Sequence, residues 1–461
     1  MQYKNHLFGM RFGLVRPLIV YFLATLICIS WAGYAQEVGN REAVPPKMVF
    51  AHYMVCCPVV GTRPTITDFK SEILEAQERG IDGFALNCGS WIKKYPYYKK
   101  WALMLYEAAH QLGTNFKLFL SADRLDDEEM KDMIVSVYDQ PNQFRFGGIP
   151  VFSTYGNPGD GKFLNDLRKI HKPVVWISHC FPQRTHLQRV YTPENADEVF
   201  NRASFADGFF YFGAAGTGSE LSRNIVLLSQ KAKLENKIFV AGVSPFYRGF
   251  GRNYRVFETE GFRGMAQQWE TAIQQSVNWI EIVSWNDWSE AHYVAPFGPP
   301  EKTNFFWTKR WGPMLSHVAY LDASRYYIDW FKTGNRPSIT EEKIFYFYRL
   351  FPKNLESKPD PTKERLERPK GADKLKDKVF VTTFLSAPAT LTIYSGNTHQ
   401  DFSMDAGVAH AEMTFALGKQ RFVLKRSGKI LVDKTGEQEI SADDTSTNFN
   451  YFAGGSRVPS Q

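Results

Sequence analysis

Apolar, β-branched and aromatic runs alternate along most of the chain with segments of helical periodicity. Near-continuous apolar runs are typical of strands buried on both faces, as in a parallel sheet. Eight such runs predict strands at Met48–Met54, Ile81–Asn87, Phe116–Ser121, Pro150–Tyr155, Pro173–His179, Asp207–Phe212, Lys237–Ser244 and Trp279–Asp287. Eight strands alternating with helices between about residues 48 and 335 predict a (β/α)8 TIM barrel. A doubly wound open sheet is the alternative, although no glycine-rich phosphate turn follows the first strand.

The first intervening segment illustrates the helical pattern. Phe69, Ile73 and Ala76 share one helix face, with Thr67 as the expected N-cap and Gly80 as the expected end. A later stretch, Met314–Phe331, is predicted as the helix that closes the barrel.

The pattern changes near the C-terminus. Residues 356–378 are rich in Lys, Glu, Pro and Asp, which is typical of a linker. From Val379 onward apolar and polar residues alternate between turns, which predicts a small antiparallel β-sandwich domain. The tail after Asp443 has few apolar residues and is expected to fray.

The N-terminus has the features of a secretory signal. Basic residues precede the apolar run Pro17–Ser30, and small residues follow at Gly33 and Ala35. The run is shorter than the ~20 residues of a membrane span, which disfavours an anchor. We therefore expect a signal peptide at 1–35, a catalytic domain at 36–355, a linker at 356–378 and a β-sandwich domain at 379–461. The protein is expected to be exported, either secreted or periplasmic, with no stable membrane anchor.

Composition excludes several classes of protein. Hydrophobic residues at 44% and charged residues at 22% are ordinary for a globular protein and exclude disorder and coiled coil. The net charge of +7 includes Lys4, Arg11 and Arg16 of the signal segment, so the rest of the chain has a net charge of +4 without a concentrated basic patch. Nucleic acid is therefore not an expected partner.

Four cysteines follow the signal segment: Cys56, Cys57, Cys88 and Cys180. Cys56 and Cys57 are not expected to bridge each other easily. A link from either one to Cys88 is possible if their strands are neighbours, and free buried thiols are the alternative. Because no CxxC pair or HExxH helix is present, no metal is predicted, and no cofactor is expected.

Polar or aromatic side chains end almost every predicted strand. They are His52 and Tyr53, Asn87, Ser121 and Asp123, Ser153 and Tyr155, Ser178 and His179, Tyr211, Ser244, and Asn286 with Asp287. Barrel active sites lie at the C-terminal ends of the strands, so these groups predict a cleft. The alternative is that loops are polar in any case.

The segment Trp279–Tyr293 holds the strongest chemical signal. A buried strand leads into Trp285, Asn286 and Asp287, and Glu290 follows three residues later. Two carboxyl groups can hydrolyse a glycosidic bond, because one protonates the leaving oxygen and the other activates water or attacks. Nearby tryptophan rings would raise the pKa of a carboxylic acid. The alternative is that Asp287 caps the next turn and Glu290 forms a salt bridge.

These motifs resemble glycoside hydrolase family 71, the endo-α-1,3-glucanases often called mutanases. The similar stretches are WNDWSEAHY, VFAHYMV (Val49–Val55), GIDGFALN (Gly80–Asn87), FKLFLSAD (Phe116–Asp123), ADGFFYFG (Ala206–Gly213) and AGVSPFY (Ala241–Tyr247). The resemblance covers roughly residues 47–350 and extends more weakly into the β-domain. It implies an inverting hydrolase whose catalytic residues are Asp287 and Glu290. We assign Glu290 as general acid and Asp287 as general base, although the resemblance leaves the order of these roles open. Inversion requires carboxyl groups ~6.5–9.5 Å apart.

The resemblance and the strand-end positions also suggest substrate-binding residues. They are His52, Tyr53, Asn87, Asp123, Tyr155, His179, Trp285, Asn286, Trp288, His292 and Tyr293. The chain departs from the family at Cys56, Cys57 and Pro58, where fungal members usually carry a Gly-Asn pair, and at Cys88-Gly89. Both changes lie at the predicted barrel mouth and affect the expected shape of the subsites.

The leading hypothesis is an exported, endo-acting hydrolase of α-1,3-glucan whose partner is this polysaccharide. An endo-α-mannosidase or mannanase of family 99 type is the second hypothesis, although that type has Glu where this chain has Asp287. A glycan-binding protein without catalysis is the third, and the intact carboxylates argue against it. The sequence does not predict the oligomeric state.

Overall fold

The computed structural model describes residues 46–156, 159–181, 190–249, 251–355, 368–442 and 449–455. The predicted signal peptide and residues 356–367 of the predicted linker lie outside these ranges. The described residues belong to one compact unit. None of the helices in these ranges is both long and apolar enough to cross a membrane.

The first part of the chain forms a closed parallel barrel. Its strands are β1 (Met48–Met54), β2 (Gly83–Cys88), β3 (Lys117–Asp123), β4 (Arg145–Phe146), β5 (Ile149–Tyr155), β6 (Val175–His179), β7 (Gly208–Tyr211), β8 (Ile238–Val243) and β9 (Trp279–Ile282). All except β4 pair in parallel in chain order, and β9 pairs with β1 to close the ring. The short β4 runs antiparallel to β5. The predicted TIM barrel is confirmed, and each predicted strand is present.

Helices follow the barrel strands. They are α1 (Ile66–Glu78), α2 (Tyr97–Leu112), α3 (Asp127–Val137), α4 (Lys162–Lys169), α5 (Pro193–Arg202), α6 (Gly218–Leu234), α7 (Arg263–Gln274), α8 (Thr308–Trp311) and α9 (Val318–Thr333). The predicted apolar face of α1 is buried, but Thr67 as its N-cap is wrong. Thr65 is the cap, because its hydroxyl accepts the Asp68 N–H and the Asp68 carboxylate accepts the Thr65 N–H.

The register of the barrel strands puts large apolar side chains at the bottom of the barrel. Phe50, Phe119, Phe144, Ile177 and Trp279 form one buried cluster from strands on opposite sides of the ring. Because successive side chains alternate between the two faces of a strand, the positions further along these strands carry polar groups towards the mouth. The apolar layer therefore closes the barrel below the site.

The C-terminal part contains two four-stranded antiparallel sheets. The strands are β10 (Lys343–Arg349), β11 (Lys378–Leu385), β12 (Ala389–Ser395), β13 (Thr398–Met404), β14 (Gly407–Thr414), β15 (Gln420–Arg426), β16 (Lys429–Thr435) and β17 (Tyr451–Gly455). The sheet orders are β14-β11-β10-β17 and β13-β12-β15-β16. Ile344, Val381, Ile393 and Phe422 belong to one core that joins the two sheets. The predicted β-sandwich is confirmed.

Two segments contribute more to this sandwich than the sequence suggested. β10 precedes the predicted linker, yet it pairs with both β11 and β17. Its Tyr346 joins the core of the sandwich while Phe345 and Phe347 join the core of the barrel, so the sheet is buried on both faces. The expected fraying of the tail is wrong for Tyr451–Gly455, because pairing with β10 and burial of Phe452 hold this strand in place.

The described end of the predicted linker packs along the barrel. The Val256 N–H donates to the Lys370 carbonyl at 2.9 Å, and the Lys370 N–H donates to the Tyr254 carbonyl at 3.2 Å. A short 3-10 helix, Ala372–Lys374, follows, and Leu375 is buried. This segment therefore forms part of the wall beside the loop after β8.

Candidate active site

The loop after β9 carries both predicted catalytic carboxylates. The Ser284 N–H donates to the His292 carbonyl at 2.8 Å, and the Val294 N–H donates to the Ser284 carbonyl at 3.1 Å, which closes the base of the loop. The Ser284 hydroxyl oxygen accepts the Asp287 N–H at 2.8 Å. The loop therefore starts from a fixed point at the end of a buried strand.

Asp287 and Glu290 meet at the barrel mouth and remain partly exposed, with 14% and 26% of their side chains accessible. Asp287 Oδ1 accepts the Ser289 hydroxyl at 2.7 Å and the Glu290 N–H at 3.0 Å. Asp287 therefore has the turn-capping role that the sequence offered as the alternative to catalysis. Its other oxygen, Oδ2, lies 3.7 Å from His292 Nε2.

Glu290 accepts hydrogen bonds from three side chains. Tyr247 Oη donates to Oε1 at 2.9 Å, Asn253 Nδ2 donates to Oε1 at 3.2 Å, and His292 Nε2 lies 3.3 Å from Oε2. Burial alone would raise the pKa of Glu290, but His292, Tyr247 and Asn253 together hold that pKa below its ordinary value. An ionised carboxylate suits a base better than an acid, which is the reverse of the order of roles expected from the sequence.

The two carboxylates are close together. One oxygen of each, together with a nitrogen of His292, lies within 4.8 Å of the others. This distance joins single atoms, whereas the ~6.5–9.5 Å expected for an inverting pair joins whole carboxyl groups, so it is compatible with inversion and with retention. Among the described residues, these three side chains are the group that could hold a metal ion, but acidic clusters in clefts are common without one.

The other predicted residues of this loop are buried behind the cleft. Asn286 Oδ1 accepts the Met54 N–H at 2.7 Å, and its Nδ2 donates to the carbonyls of Met54 at 3.1 Å and Cys57 at 2.9 Å. Trp285 Nε1 donates to Glu72 Oε2 at 2.8 Å. Trp288 Nε1 donates to the Cys57 carbonyl at 2.8 Å. These groups brace the loop with their polar atoms instead of presenting them to a ligand.

Tyr293 and Tyr53 are also engaged in internal contacts. The Tyr293 hydroxyl donates to the Leu315 carbonyl at 2.6 Å, and the Tyr53 hydroxyl donates to Glu72 Oε1 at 3.2 Å. Both rings are fully buried. The structure therefore places these two predicted residues in the packing around the site, outside the cleft surface.

A cleft of about 690 Å³ opens beside Glu290. Its lining includes Tyr155, His179, Phe212 and Tyr247. Tyr155 and His179 stack with ring centroids 4.6 Å apart. Burial lowers the pKa of His179 to about 3, and its Nδ1 accepts the Gly156 N–H at 3.0 Å, so this ring is neutral. The partly exposed Tyr155 ring can contact the apolar face of a sugar, whereas His179 is buried and stacks against both Tyr155 and Phe181.

His52, Asn87 and Asp123 lie at the ends of β1, β2 and β3. His52 is fully buried, with Nδ1 3.0 Å from Glu281 Oε2. Burial raises the pKa of Asp123, although Arg124, His52 and a hydrogen bond from Asn87 partly offset this effect. The predicted polar residues of these three strands are therefore brought together, with His52 below the cleft surface.

A second cavity of about 730 Å³ adjoins the cleft. Asn253 and Arg255 line both spaces. Its far wall is formed by Lys370, Lys374 and Lys376 of the predicted linker. Asn253 and Arg255 therefore border both the cleft beside Glu290 and a second space next to the segment that leads into the sandwich.

Four functional candidates were missed by the sequence analysis. Glu281 is a single acid within the apolar run of β9, and this pattern could have revealed it. Glu72 lies on the buried face of α1 between Phe69 and Ile73, which was a weaker signal. Tyr247 and Asn253 lie in the loop after β8, where no periodicity marks them.

The cysteines differ from expectation. Cys56 and Cys57 form a disulfide with each other, while Cys88 and Cys180 are free and buried. The expectation that adjacent cysteines would not bridge is wrong. Side chains alternate in a strand, but here the Cys57 N–H donates to the Met54 carbonyl at 3.0 Å, and the resulting turn brings the two sulfurs together.

Comparison with known proteins identifies the lineage of this barrel. Residues 45–460 match the model of glycosyl hydrolase family 71. A mutanase of Penicillium rubens is 30% identical over 425 residues, which cover 89% of each chain. A glucan endo-1,3-α-glucosidase of Schizosaccharomyces pombe is 28% identical over 88% of this chain and 94% of that protein. The family predicted from the motifs is confirmed.

Among solved structures, an endo-α-mannosidase of family 99 from Bacteroides thetaiotaomicron is similar, with a TM-score of 0.48 and 17% identity. The match covers 63% of this chain and 98% of that one.

Proposed function

Because the chain belongs to glycosyl hydrolase family 71, we propose that it is an exported enzyme that hydrolyses α-1,3-glucan. The names of the two relatives above support this substrate, and the similarity to both extends over almost the whole described chain. A third relative, an ascus wall endo-1,3-α-glucanase of Schizosaccharomyces pombe, is 24% identical and supports the same substrate and an extracytoplasmic location. We propose that the protein is secreted or periplasmic.

The mechanistic part of this proposal is based on one observation. At the open end of the barrel, the side chains of Asp287, Glu290 and His292 lie close together. One carboxyl group must protonate the glycosidic oxygen, and the other must activate water or attack the anomeric carbon. We assign the second role to Glu290, because its hydrogen bonds keep it ionised, and the first role to Asp287. Neighbouring Asp123 is assigned to substrate binding together with Asn87.

The family resemblance implies inversion, and the 4.8 Å limit on the separation of single carboxylate oxygens is compatible with both inversion and retention. Proton NMR of the first product decides between the outcomes. Inverting hydrolysis of an α-glucan releases the β-anomer first, and retaining hydrolysis releases the α-anomer.

The shape of the site supports endo action. The second cavity shares Asn253 and Arg255 with the cleft beside Glu290, and this adjacent space would accommodate further units of a bound chain. Tyr155, which stacks on the buried His179 ring, offers a partly exposed aromatic surface to a sugar ring. An enzyme that binds several units at once can cut within a polymer.

The test is release of reducing sugar from insoluble α-1,3-glucan, with α-mannan and starch assayed in parallel. We expect release from α-1,3-glucan and a ladder of oligosaccharides at early times. Release from α-mannan alone would replace this proposal with the mannosidase hypothesis. Binding to the glucan without any release would replace it with the glycan-binding hypothesis.

A further inference from the structure

The turn after β1 is attached to the loop that carries Asp287. Asn286 Nδ2 and Trp288 Nε1 both donate to the carbonyl oxygen of Cys57, at 2.9 and 2.8 Å. These two residues stand immediately before and after Asp287 in the sequence. A single carbonyl oxygen therefore anchors the residues on both sides of one proposed catalytic carboxylate.

Further contacts hold the same turn. The Met54 N–H and carbonyl both bond the Asn286 amide, and the Pro58 carbonyl accepts Trp307 Nε1 at 2.8 Å. Glu72 accepts the Val59 N–H at 3.1 Å through one oxygen and Trp285 Nε1 through the other. The turn and the catalytic loop are thus one hydrogen-bonded assembly.

The Cys56–Cys57 disulfide lies within this assembly. A bond between adjacent cysteines closes a small ring that contains the peptide bond between them, so the backbone of Cys57 has few orientations available. Opening the ring restores rotation on both sides of that peptide bond. The ring restricts ψ of Cys56 and φ of Cys57, and so it fixes the Cα from which the Cys57 carbonyl projects. Opening the ring lets this carbonyl, with its two hydrogen bonds, shift.

We infer that the Cys56–Cys57 disulfide is a positioning element for Asp287, so that hydrolysis depends on the oxidised state of this pair. Because it concerns Asp287, this inference rests on the proposed function. Reduction by an external dithiol breaks one S–S bond, forms two cysteine thiols and converts the dithiol to its cyclic disulfide, with two electrons and two protons transferred.

The other described cysteines are poor targets for the same reagent. Cys56 and Cys57 are partly exposed, whereas Cys88 and Cys180 are fully buried, and burial raises the pKa of both of their thiols. A thiolate is the reactive form of cysteine, so these two residues remain inert in the folded protein. A response of the native enzyme to a dithiol is therefore assigned to the adjacent pair.

The first test is the covalent state. Trypsin is expected to release Met48–Lys70 as one peptide, because the Arg63–Pro64 bond resists cleavage, and this peptide contains Cys56 and Cys57 only. In the untreated protein it should be two hydrogens lighter than the dithiol form and should resist alkylation. Alkylation of both cysteines without reduction would overturn the inference.

The second test is activity on α-1,3-glucan oligosaccharides. We expect dithiothreitol to lower kcat about 10- to 100-fold, because a displacement of about 1 Å has effects of that size. KM should change little, because Tyr155 and His179 lie on other strands. Reoxidation should restore kcat. The double variant Cys56→Ser with Cys57→Ser should start at the reduced level and ignore the reductant, whereas Cys88→Ser should keep the response.

The third test separates this inference from the proposed function. The indole N–H of Trp288, assigned with Trp288→Phe, should shift in the 15N NMR spectrum on reduction, because its acceptor moves. This signal does not require activity, so an inactive protein would contradict the proposed function alone. Unchanged kcat or an unchanged indole signal, once the mass shows an open disulfide, would refute the positioning role.

Discussion

In the loop that follows β9, the buried side chains of Trp285, Asn286 and Trp288 all bond protein atoms. Inside the barrel beneath the cleft, the atoms Ser121 Oγ, Ser153 Oγ and His52 Nε2 are buried and have no hydrogen-bond partner among the described residues. The two regions lie at the same end of one barrel. These buried polar atoms are hydrogen-bonded to the protein in the loop, whereas those in the barrel interior have no partner among the described residues.

The difference has a physical meaning. A satisfied buried hydrogen bond contributes about 0.5–1.5 kcal/mol, and an unsatisfied group costs about 1–3 kcal/mol. The loop therefore gains both stability and a fixed geometry from its polar residues. In the barrel interior His52 Nδ1 is paired with Glu281, but the Ser121 and Ser153 hydroxyls contribute no such fixation. Catalytic groups are expected where the geometry is fixed.

The largest effect is expected at the carboxylates of the fixed loop. Asp287→Asn and Glu290→Gln should each lower kcat on α-1,3-glucan about 10²–10⁴-fold, because each removes proton transfer in the transition state. A glucosyl fluoride needs no protonation of its leaving group, so it separates the two roles. Asp287→Asn should hydrolyse the fluoride nearly as well as the parent, and Glu290→Gln should not. The opposite pattern would restore the order of roles expected from the sequence.

The anchor of the fixed loop should give a pH-dependent stability. Burial raises the pKa of Glu72 from 4.5 to about 7, against the opposing hydrogen bonds from Trp285, Val59 and Tyr53. Because the folded state holds this proton more tightly than the unfolded state, the contribution of Glu72 to the free energy of unfolding is complete below about pH 4.5. It is lost as the pH rises to about 7, a change on the order of 3 kcal/mol.

Urea unfolding of the parent and of Glu72→Gln at pH 5 and pH 8 isolates this contribution, since other groups cancel in the difference. The stability of the parent relative to the variant should fall between the two values of pH. A constant difference would show that Glu72 keeps the same charge throughout this range.

A smaller effect is expected from one indole hydrogen bond. Trp285→Phe removes the donor to Glu72, whereas Trp279→Phe removes a similar ring volume at a position whose Nε1 has no partner among the described residues. The first variant should be about 0.5–1.5 kcal/mol less stable than the second. Of the two variants, only Trp285→Phe should also lower kcat. If both variants lose the same free energy of unfolding and have the same kcat, the hydrogen bond from Trp285 to Glu72 does not hold the catalytic loop in place.

The smallest effect is expected in the barrel interior. Ser153→Ala removes a buried hydroxyl with no hydrogen-bond partner among the described residues, so it should leave the free energy of unfolding unchanged or raise it. Ser324→Ala is the matched control, because the Ser324 hydroxyl accepts Trp269 Nε1 at 3.0 Å and donates to the Tyr320 carbonyl at 2.7 Å. Its loss should cost about 1–3 kcal/mol. A similar cost at both serines would remove the distinction between hydrogen-bonded and unpartnered hydroxyls on which the comparison rests.

Predictions from local pattern were largely confirmed. The barrel strands were identified because each is a near-continuous apolar run, and the sandwich strands because apolar and polar residues alternate. β10 and β17 were not assigned to the sandwich, since β10 is apolar on both faces and β17 is a short strand at the end of a polar tail. Both became strands through pairing with each other across a long stretch of sequence.

The site was also predictable only in part, because some of its contacts join segments that are far apart in the sequence. Asp287 and Glu290 stand three residues apart in one loop, so the sequence itself places them together. Tyr247 and Asn253 contact Glu290 only because the loops after β8 and β9 are neighbours at the mouth. The sequence also did not indicate that Trp285 and Trp288 would be buried, because aromatic residues suit a core and a sugar subsite equally well.

The sequence by itself determined the elements, the barrel and the presence of a carboxylate pair at the end of its last strand. These features depend on periodicity and on residues close together in the chain. Only the tertiary structure decided that Glu290 is held ionised, that Glu72 anchors Trp285, and that the Cys57 carbonyl holds the residues on both sides of Asp287. These contacts arise when β9 closes against β1, and barrel closure brings together segments that the sequence keeps far apart.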